Sequence, residues 1–173
     1  MDKHYENRAR DIVQRFIYVT IASVSAEGDP WNSPVYSAYD DQANFYWSSS
    51  PLAQHSRNIE KNGKAFFVIY DSTAPEGTGE GVYIHTIAAA LADPAEIKKA
   101  KRLLTQRVGK ELGSETDRLL DAGIQRIYRA TPQRAWINGF EHAAQQSYLR
   151  DIRIEIPLAC LRGLQFLRGL HYT

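Results

Sequence analysis

Cysteine and long apolar runs are the features that this sequence has least of. Cys160 is the single cysteine among 173 residues, so no disulfide can form within the chain and a thiolate zinc cage would lack ligands. No apolar run approaches the roughly 20 residues that a membrane-spanning helix needs. The opening residues are too polar for a signal peptide. These absences predict a cytoplasmic protein with no membrane partner.

An excess of charge of either sign is also missing. The chain carries 21 lysine and arginine residues against 20 acidic ones, and its formal net charge is +1. This balance gives no general attraction to nucleic acid, so we expect no nucleic-acid partner. The apolar fraction of 43% is typical of a globular protein, and the length suits one core. Residues 1–173 are therefore predicted to form a single domain.

The familiar motifs of catalytic and metal-binding sites are absent as well. The sequence contains neither HExxH nor GxSxG. The glycine-rich loop at 77–81 lacks the GxGxxG spacing and is followed by no GK[ST]. The 5 histidines do not cluster in sequence. We predict no metal site, and no motif identifies a catalytic residue.

What the sequence does contain is a series of short strand patterns joined by turns. Segments rich in β-branched and aromatic residues alternate with glycine, proline and asparagine turns. Strands are predicted at 16–24, 32–40, 45–49, 64–71, 82–93, 124–132, 134–139 and 151–156. Helices are predicted at 4–14, 51–61 and 93–113. Because strands and helices do not alternate regularly, the pattern favours a barrel or an α+β sheet over a doubly wound fold.

A serine-rich junction between a strand and a helix, FYWSSSPLAQHSRNI at 45–59, is the most unusual segment. Ser50 is predicted to be the N-cap of the helix and Pro51 its first residue. A helix N-terminus presents unpaired backbone N–H groups and a partial positive charge, which suit a phosphate. The serine hydroxyls can add donors there, and His55 or Arg57 can add charge. The alternative is that these residues only cap the helix, and the spacing leaves both interpretations open.

The order of these pieces resembles the pyridoxamine 5′-phosphate oxidase-like superfamily of FMN-binding split β-barrels. YVTIASVSAEGDPWNSPVYSAYDDQANFYWSSS is similar to the family's opening strands, QHSRNIEKNGKAFFVIYD to its SxKxxNLxxNPxVAL segment, and EGTGEGVYIHTIAAALAD to its GxxVxVxGxAxxVxD strand. RATPQRAWI is similar to a late strand whose tryptophan often lies near the flavin. The resemblance implies a mainly β protein with α (α+β), namely a six- to seven-stranded split β-barrel with flanking helices.

The resemblance also implies an FMN site that forms across the interface of a homodimer. It assigns residues to the isoalloxazine ring, to the ribityl chain and to the phosphate. The implied cofactor-binding residues are Asn32, Ser33, Pro34 and Val35 along the ring, Trp47, Ser48 and Ser49 at the ribityl chain and phosphate, His55, Ser56, Arg57 and Asn58 in the phosphate-binding segment, Glu80 and Gly81 at a polar contact, and Trp136 from the partner subunit.

Three departures from the family pattern bear on activity. His55 stands where the family usually has a phosphate-binding lysine, so the affinity for phosphate is expected to fall as pH rises. Thr86 stands where the family often has glycine. The C-terminal FLRGLHYT, with Arg168 and His171, lacks the Arg-x-His signature of pyridoxamine phosphate oxidases, which argues against that substrate.

The expected function is that of an FMN-dependent oxidoreductase acting on an unknown small molecule, with the flavin carrying the hydride. The alternatives are a split barrel that binds the deazaflavin F420 or haem, and a non-catalytic flavin-binding or sensor protein. The residues to test for these alternatives are Arg57, Lys61 and Lys64 for F420, and His85 or His142 for haem. Specificity is expected to depend on 109–123 and 138–151, because loops and insertions usually carry it.

Overall fold

The computed structural model describes residues 3–109, 118–120, 122–142 and 149–166. The helices are α1 (Lys3–Arg15), α2 (Gln54–Asn62) and α3 (Pro94–Arg107), with a 3₁₀ helix at Leu158–Leu161. The strands are β1 (Tyr18–Val24), β2 (Pro30–Tyr36), β3 (Ala38–Tyr39), β4 (Phe45–Ser49), β5 (Lys64–Tyr70), β6 (Gly81–Ala90), β7 (Arg126–His142) and β8 (Leu149–Ile156). In the part of the chain so described, no helix has the length and apolar character to cross a bilayer.

The strands form one sheet that closes on itself. Its order is β2-β1-β5-β6-β7-β4-β3, with β8 paired to β7, and every pair is antiparallel. The two ends of this order, β2 and β3, are separated in sequence by the single residue Ser37, whose N–H donates to the carbonyl of Ile17 at 2.8 Å. Since two edges one residue apart cannot lie on opposite sides of a flat sheet, the sheet curls into a split β-barrel. The predicted α+β split barrel is confirmed.

Strand β7 corrects one prediction. The sequence predicted two strands divided at Thr131-Pro132, because proline interrupts strand pairing. A single strand instead continues through Pro132 by means of a bulge: Thr86 of β6 lies opposite Pro132 and His85 opposite Arg134, which leaves Gln133 as the extra residue. The first part of β7 pairs with β4 and the last part with β8, so this strand connects the two halves of the barrel.

The barrel interior is filled by aromatic rings. Trp47 of β4 is fully buried, with its ring stacked on Tyr128 at 5.3 Å and edge-on to Phe67 at 5.8 Å. Burial of a large apolar side chain of this kind stabilises a fold by about 1.5–3 kcal/mol. This packing fixes the end of β4 at which the serine-rich segment begins.

A second set of aromatic residues lies on the opposite side of the sheet. Strand β5 buries alternate side chains and turns the others outward. We call the outward set the outer face; it comprises Phe66, Val68, Tyr83, Trp136 and Phe140. The rings of Phe66 and Trp136 stack at 6.2 Å, and Phe140 is 50% exposed. The outer face is therefore aromatic and partly exposed within one chain, with the guanidinium groups of Arg134 and Arg153 over the Trp136 and Tyr83 rings at 4.7 and 4.0 Å.

Candidate functional site

A cleft of about 890 Å³ opens at the edge of the barrel. It is bounded by β2, the end of β4, the start of α2 and one side of α3. Seven of the predicted cofactor-binding residues line it, namely Asn32, Ser33, Pro34, Val35, Ser48, Ser49 and His55. These residues come from separate segments of the sequence, and the fold brings them together in one cavity. The volume of this cavity suits a small ligand.

Strand β2 presents its edge to this cleft. Residues 31–36 all line the cleft, although successive side chains of a strand point to opposite faces. β2 pairs with β1 on one side and ends the strand order on the other. Because backbone N–H and C=O groups along such an edge have no partner strand, they can hydrogen-bond to a flat ring with donors and acceptors at its rim.

The start of α2 differs from the prediction. The helix begins at Gln54, and its N-cap is Ala53, not Ser50. Ser50 and Pro51 lie in the preceding turn, where the Ser50 hydroxyl accepts from the N–H of Leu52 at 3.1 Å. Alanine has no side-chain oxygen to cap the first turn, and no side-chain cap bond is made. Ala53, Gln54 and His55 line the cleft, so the uncapped helix N-terminus lies in its wall.

His55 connects three elements at this point. Its Nε2 lies 2.9 Å from the Ser49 Oγ of β4, and its Nδ1 lies 3.1 Å from the Ser33 Oγ of β2. The indole N–H of Trp31 donates to the same Ser33 hydroxyl at 3.0 Å. Burial lowers the pKa of His55 below its ordinary value of 6.5, because the charged form is desolvated. The imidazole is therefore neutral at pH 7.

The neutral imidazole can order the hydroxyls around it. In the Nε2–H tautomer, the ring accepts from Ser33 at Nδ1 and donates to Ser49. The Ser49 hydroxyl then has its own hydrogen free to donate to a ligand. Ser48 does not share this role, because its Oγ donates to the Gln125 side-chain oxygen at 2.6 Å. The cleft thus contains a neutral donor set next to the helix N-terminus.

Other predicted residues of this segment do not line the cleft. Trp47 belongs to the core, and the Arg57 side chain is exposed. Asn58 is buried, donating to the Ser23 hydroxyl at 3.0 Å and accepting from Gln54 at 2.8 Å, so it fastens α2 to β1. Ser56 is buried, and its hydroxyl has no hydrogen-bond partner within the described parts of the chain.

Glu80, Gly81 and Trp136 lie outside this cleft within one chain. Glu80 forms an ion pair with Arg8 of α1. The Gly81 N–H donates to the Asn138 side-chain oxygen at 2.7 Å. Trp136 belongs to the outer face. The implied polar contact of Glu80 and Gly81 with the cofactor, and the implied contribution of Trp136 from a partner subunit, stay predictions.

The cleft also contains residues that sequence reasoning missed. They are Tyr36, Lys101, Leu104, Thr105, Val108, Leu120 and Gln125, together with neighbours of β1 and β2. Three of them, Lys101, Leu104 and Thr105, belong to α3, and Val108 follows the last residue of that helix. The periodicity of α3 identifies its buried side but not the strand edge against which it packs.

Of the residues named for haem, His85 is not brought into the cleft. His85 belongs to β6, paired opposite Phe66 and Arg134, and does not line the cleft. His142 ends β7, and Arg168 and His171 lie outside the described residues. Within the described part of the chain, no group of three or more metal-ligating side chains occurs. Burial raises the pKa of the Cys160 thiol to about 11, so this cysteine stays protonated near neutral pH.

An antiparallel barrel closed at Ser37, with a ligand-sized cleft at a strand edge, defines an α+β split β-barrel. Residues 5–138 match the family model described as pyridoxamine 5′-phosphate oxidase, and the chain belongs to that split-barrel family. A comparison with curated proteins finds no match.

Solved structures show the same fold at low sequence identity. A protein of unknown function from Agrobacterium tumefaciens shares 18% identity at a TM-score of 0.67, over 78% of this chain and 56% of its own. A heme binding protein from Mycobacterium smegmatis shares 18% at 0.65, over 90% and 59%. The heme storage protein HutZ from Vibrio cholerae shares 19% at 0.64, over 75% and 90%. The chain thus spans less than two thirds of the first two proteins.

Proposed function

We propose that the cleft binds FMN and that the protein is a flavin-dependent oxidoreductase acting on a small molecule. The observation that supports this most directly is the position of His55. This residue joins the uncapped start of α2 to Ser49 and Ser33 within the same cleft that the open edge of β2 lines. One cavity thus offers the start of α2 and Ser49 to a phosphate, and the edge of β2 to a flat heterocycle.

The donor set fits the two ends of FMN. Backbone N–H groups at a helix N-terminus, with the Ser49 hydroxyl, are the neutral donors that phosphate sites commonly use. The backbone edge of Asn32 to Val35 offers carbonyl acceptors to the ring, and N–H donors except at Pro34, which has no backbone N–H. When bound, FMN supplies the hydride-transfer chemistry, and the chain supplies binding and orientation. Trp31, Ser33 and His55 hold Ser49 in position through their chain of hydrogen bonds.

We further propose that the cofactor site is completed in a homodimer. The outer face leaves Phe140 half exposed and Trp136 only partly covered. Partly exposed aromatic rings next to arginine side chains, here Arg134 over Trp136 and Arg153 over Tyr83, are of the kind that is enriched at protein interfaces. Pairing of two outer faces would cover these side chains and would allow a partner subunit to contribute Trp136.

Haem is the second candidate, and the heme-binding and heme-storage proteins of similar fold favour it. The cleft itself offers haem a poor axial ligand. His55 has both ring nitrogens within hydrogen-bonding distance of serine hydroxyls, and among the described residues no other histidine lines the cleft. A haem site would therefore use a histidine other than those of the described lining, such as His85.

An absorbance spectrum of the purified protein, with mass spectrometry of the released chromophore, separates these candidates. Oxidised-flavin bands with release of FMN, or uptake of added FMN, are expected. A Soret band would assign haem, and uptake of F420 alone would assign the deazaflavin. A protein that takes up none of the three would contradict the proposed function.

Single-residue variants then test whether FMN binds in this cleft. Ser49→Ala should weaken FMN binding about tenfold, because a hydrogen bond to a charged group is lost. Ser72→Ala, in an exposed loop, is the matched control. Oxidation of NAD(P)H by the FMN-loaded protein in air tests the redox activity.

A further inference from the structure

A chain of hydrogen bonds connects β2 to β4 through α2. The Trp31 indole N–H donates to the Ser33 Oγ at 3.0 Å, the His55 Nδ1 lies 3.1 Å from the same Oγ, and the His55 Nε2 lies 2.9 Å from the Ser49 Oγ. All four residues line the cleft. A hydroxyl next to an imidazole whose other nitrogen is held by a third group is the arrangement of nucleophile, base and orienting residue.

The second tautomer of His55 gives these residues distinct roles. With the hydrogen on Nδ1, the ring donates to the Ser33 Oγ, and Nε2 is left to accept from the Ser49 hydroxyl. The Ser33 oxygen has two lone pairs, so it can accept from the imidazole and from Trp31 at the same time. Because burial lowers the pKa of His55, the ring is neutral at pH 7 and can take up a proton. Ser49 thus has a base within hydrogen-bonding distance.

Donors for a developing oxyanion lie in the same wall of the cleft. The N–H groups of Gln54 and His55 belong to the first turn of α2, where they have no partner within the helix. The helical bonds begin with the Arg57 N–H, which donates to the Ala53 carbonyl at 3.1 Å. Gln54 and His55 line the cleft together with Ser49. Backbone N–H groups at a helix N-terminus can stabilise the oxyanion that forms when a carbonyl is attacked.

We infer that the cleft has a further activity, the hydrolysis of small esters, with Ser49 as nucleophile and His55 as general base. The Ser49 Oγ attacks the carbonyl carbon while His55 takes its proton. The bond from that carbon to the alcohol oxygen then breaks, and His55 gives the proton to the leaving oxygen. A water molecule attacks the acyl-serine in the same way and releases the acid. Ser33 acts as a positioning residue, and no oxidant or reductant is needed.

Hydrolysis of p-nitrophenyl acetate by the full chain tests this activity. Ser49→Ala and His55→Gln should each lower kcat/KM at least about 100-fold, because the nucleophile or the base is lost. Phenylmethylsulfonyl fluoride should label Ser49 with release of fluoride, and mass spectrometry of the peptides locates the adduct. Ser72→Ala, in an exposed loop, is the matched control and should behave as the wild type.

The orienting role of Ser33 has its own test. Ser33→Ala should lower kcat about tenfold with little change in KM, because the imidazole is no longer held in the required tautomer. Ser33→Thr keeps the hydroxyl and should restore kcat. An unchanged kcat in Ser33→Ala would overturn the role of Ser33 as a positioning residue.

The outcomes separate this inference, which does not depend on the flavin, from the proposed function. Wild-type hydrolysis by Ser49→Ala at an unchanged melting temperature, or sulfonyl adducts only on other residues, would overturn the esterase. FMN should inhibit hydrolysis competitively, since its phosphate is proposed to occupy Ser49. Hydrolysis that depends on Ser49 and is not inhibited by FMN would support the esterase while contradicting the proposed phosphate site. FMN binding with no hydrolysis that depends on Ser49 would overturn the esterase alone.

Discussion

His55 links the stability of the barrel to pH. Burial keeps the imidazole neutral in the folded chain, whereas an unfolded chain exposes it with a pKa of about 6.5. The unfolded state therefore binds more protons between these two pKa values. The free energy of unfolding should fall as pH drops from 6.5 towards the lowered pKa, by about 1.4 kcal/mol for each unit of the difference.

Denaturant unfolding at pH 7.5, 6.5 and 5.5 measures this effect. His55→Gln cannot take up a proton and serves as the comparison variant. Its stability should change less over this range than that of the wild type. The carboxyl groups with lowered pKa values, Asp40, Asp71 and Glu155, titrate below this window. Parallel curves for the two proteins would contradict the assignment to His55.

The same residue should make FMN binding depend on pH. A bound phosphate stabilises the imidazolium and raises the pKa of His55, so binding takes up a proton between the free and bound pKa values. The dissociation constant of FMN should then decrease as pH falls through that window. The phosphate itself loses charge near pH 6, which opposes the trend.

Calorimetric titration of FMN from pH 8 to pH 5.5 separates the two contributions. The pH dependence that remains in His55→Gln reports the phosphate alone. The difference between the variant and the wild type reports the imidazole. Identical pH profiles would show that His55 does not approach the phosphate.

At the scale of single residues, local sequence predicted only part of the site. Ser49 and His55 are close in the chain, and the strand end and helix start that carry them have local signals. Ser33 entered through the family resemblance, since only the strand pairing brings it to His55. Lys101 was missed because its position depends on long-range packing of α3, which charge patterning cannot reveal.

At the scale of elements, the N-termini of helices α2 and α3 are capped differently. Asp93 caps α3 by accepting from the Glu96 N–H at 3.1 Å, whereas Ala53 leaves α2 uncapped. Ala53→Asp should raise the free energy of unfolding by about 1 kcal/mol. It should also weaken FMN binding more than tenfold, because the carboxylate occupies the same N–H groups and repels the phosphate.

Asp93→Ala is the converse control. It should lower stability by about 1 kcal/mol and leave FMN affinity unchanged, because α3 begins away from the cleft. Chemical denaturation and FMN titration of both variants check these expectations. Wild-type FMN affinity in Ala53→Asp would place the phosphate elsewhere.

Elements were predicted best where one local signal dominated. The strand FYWSS was predicted at 45–49 and is β4 with the same bounds, because turn residues flank a dense aromatic run. Two errors came from local signals that the barrel overrides. Pro132 was taken to end a strand but lies in a bulge of β7, and Ser50-Pro51 was taken to begin α2 but forms the turn before it.

At the scale of the whole molecule, closure of the sheet separates an interior from the outer face. The sequence predicted a barrel from the succession of short strands, but it could not show that Ser37 joins the two ends of the strand order. Pairing across the barrel involves residues far apart in sequence, such as Thr20 with Val68 and Phe45 with Ala130. Only this strand pairing shows which aromatic side chains lie on the outer face and not in the barrel interior.

The outer face should determine the oligomeric state. Trp136→Glu and Phe140→Glu each place a charge in the proposed interface, where an unpaired buried charge is costly. Sedimentation should give the wild type twice the chain mass of 19.6 kDa and the variants a single chain mass. Phe140 is half exposed, so its variant should fold even if Trp136→Glu does not. Ile124→Glu, also exposed but in the loop before β7, is the matched control.

Because the cofactor site is proposed to need the partner subunit, FMN affinity should fall together with dimerisation. Variants that remain dimeric would place the interface elsewhere, and monomeric variants with wild-type FMN affinity would show that one chain suffices for the site.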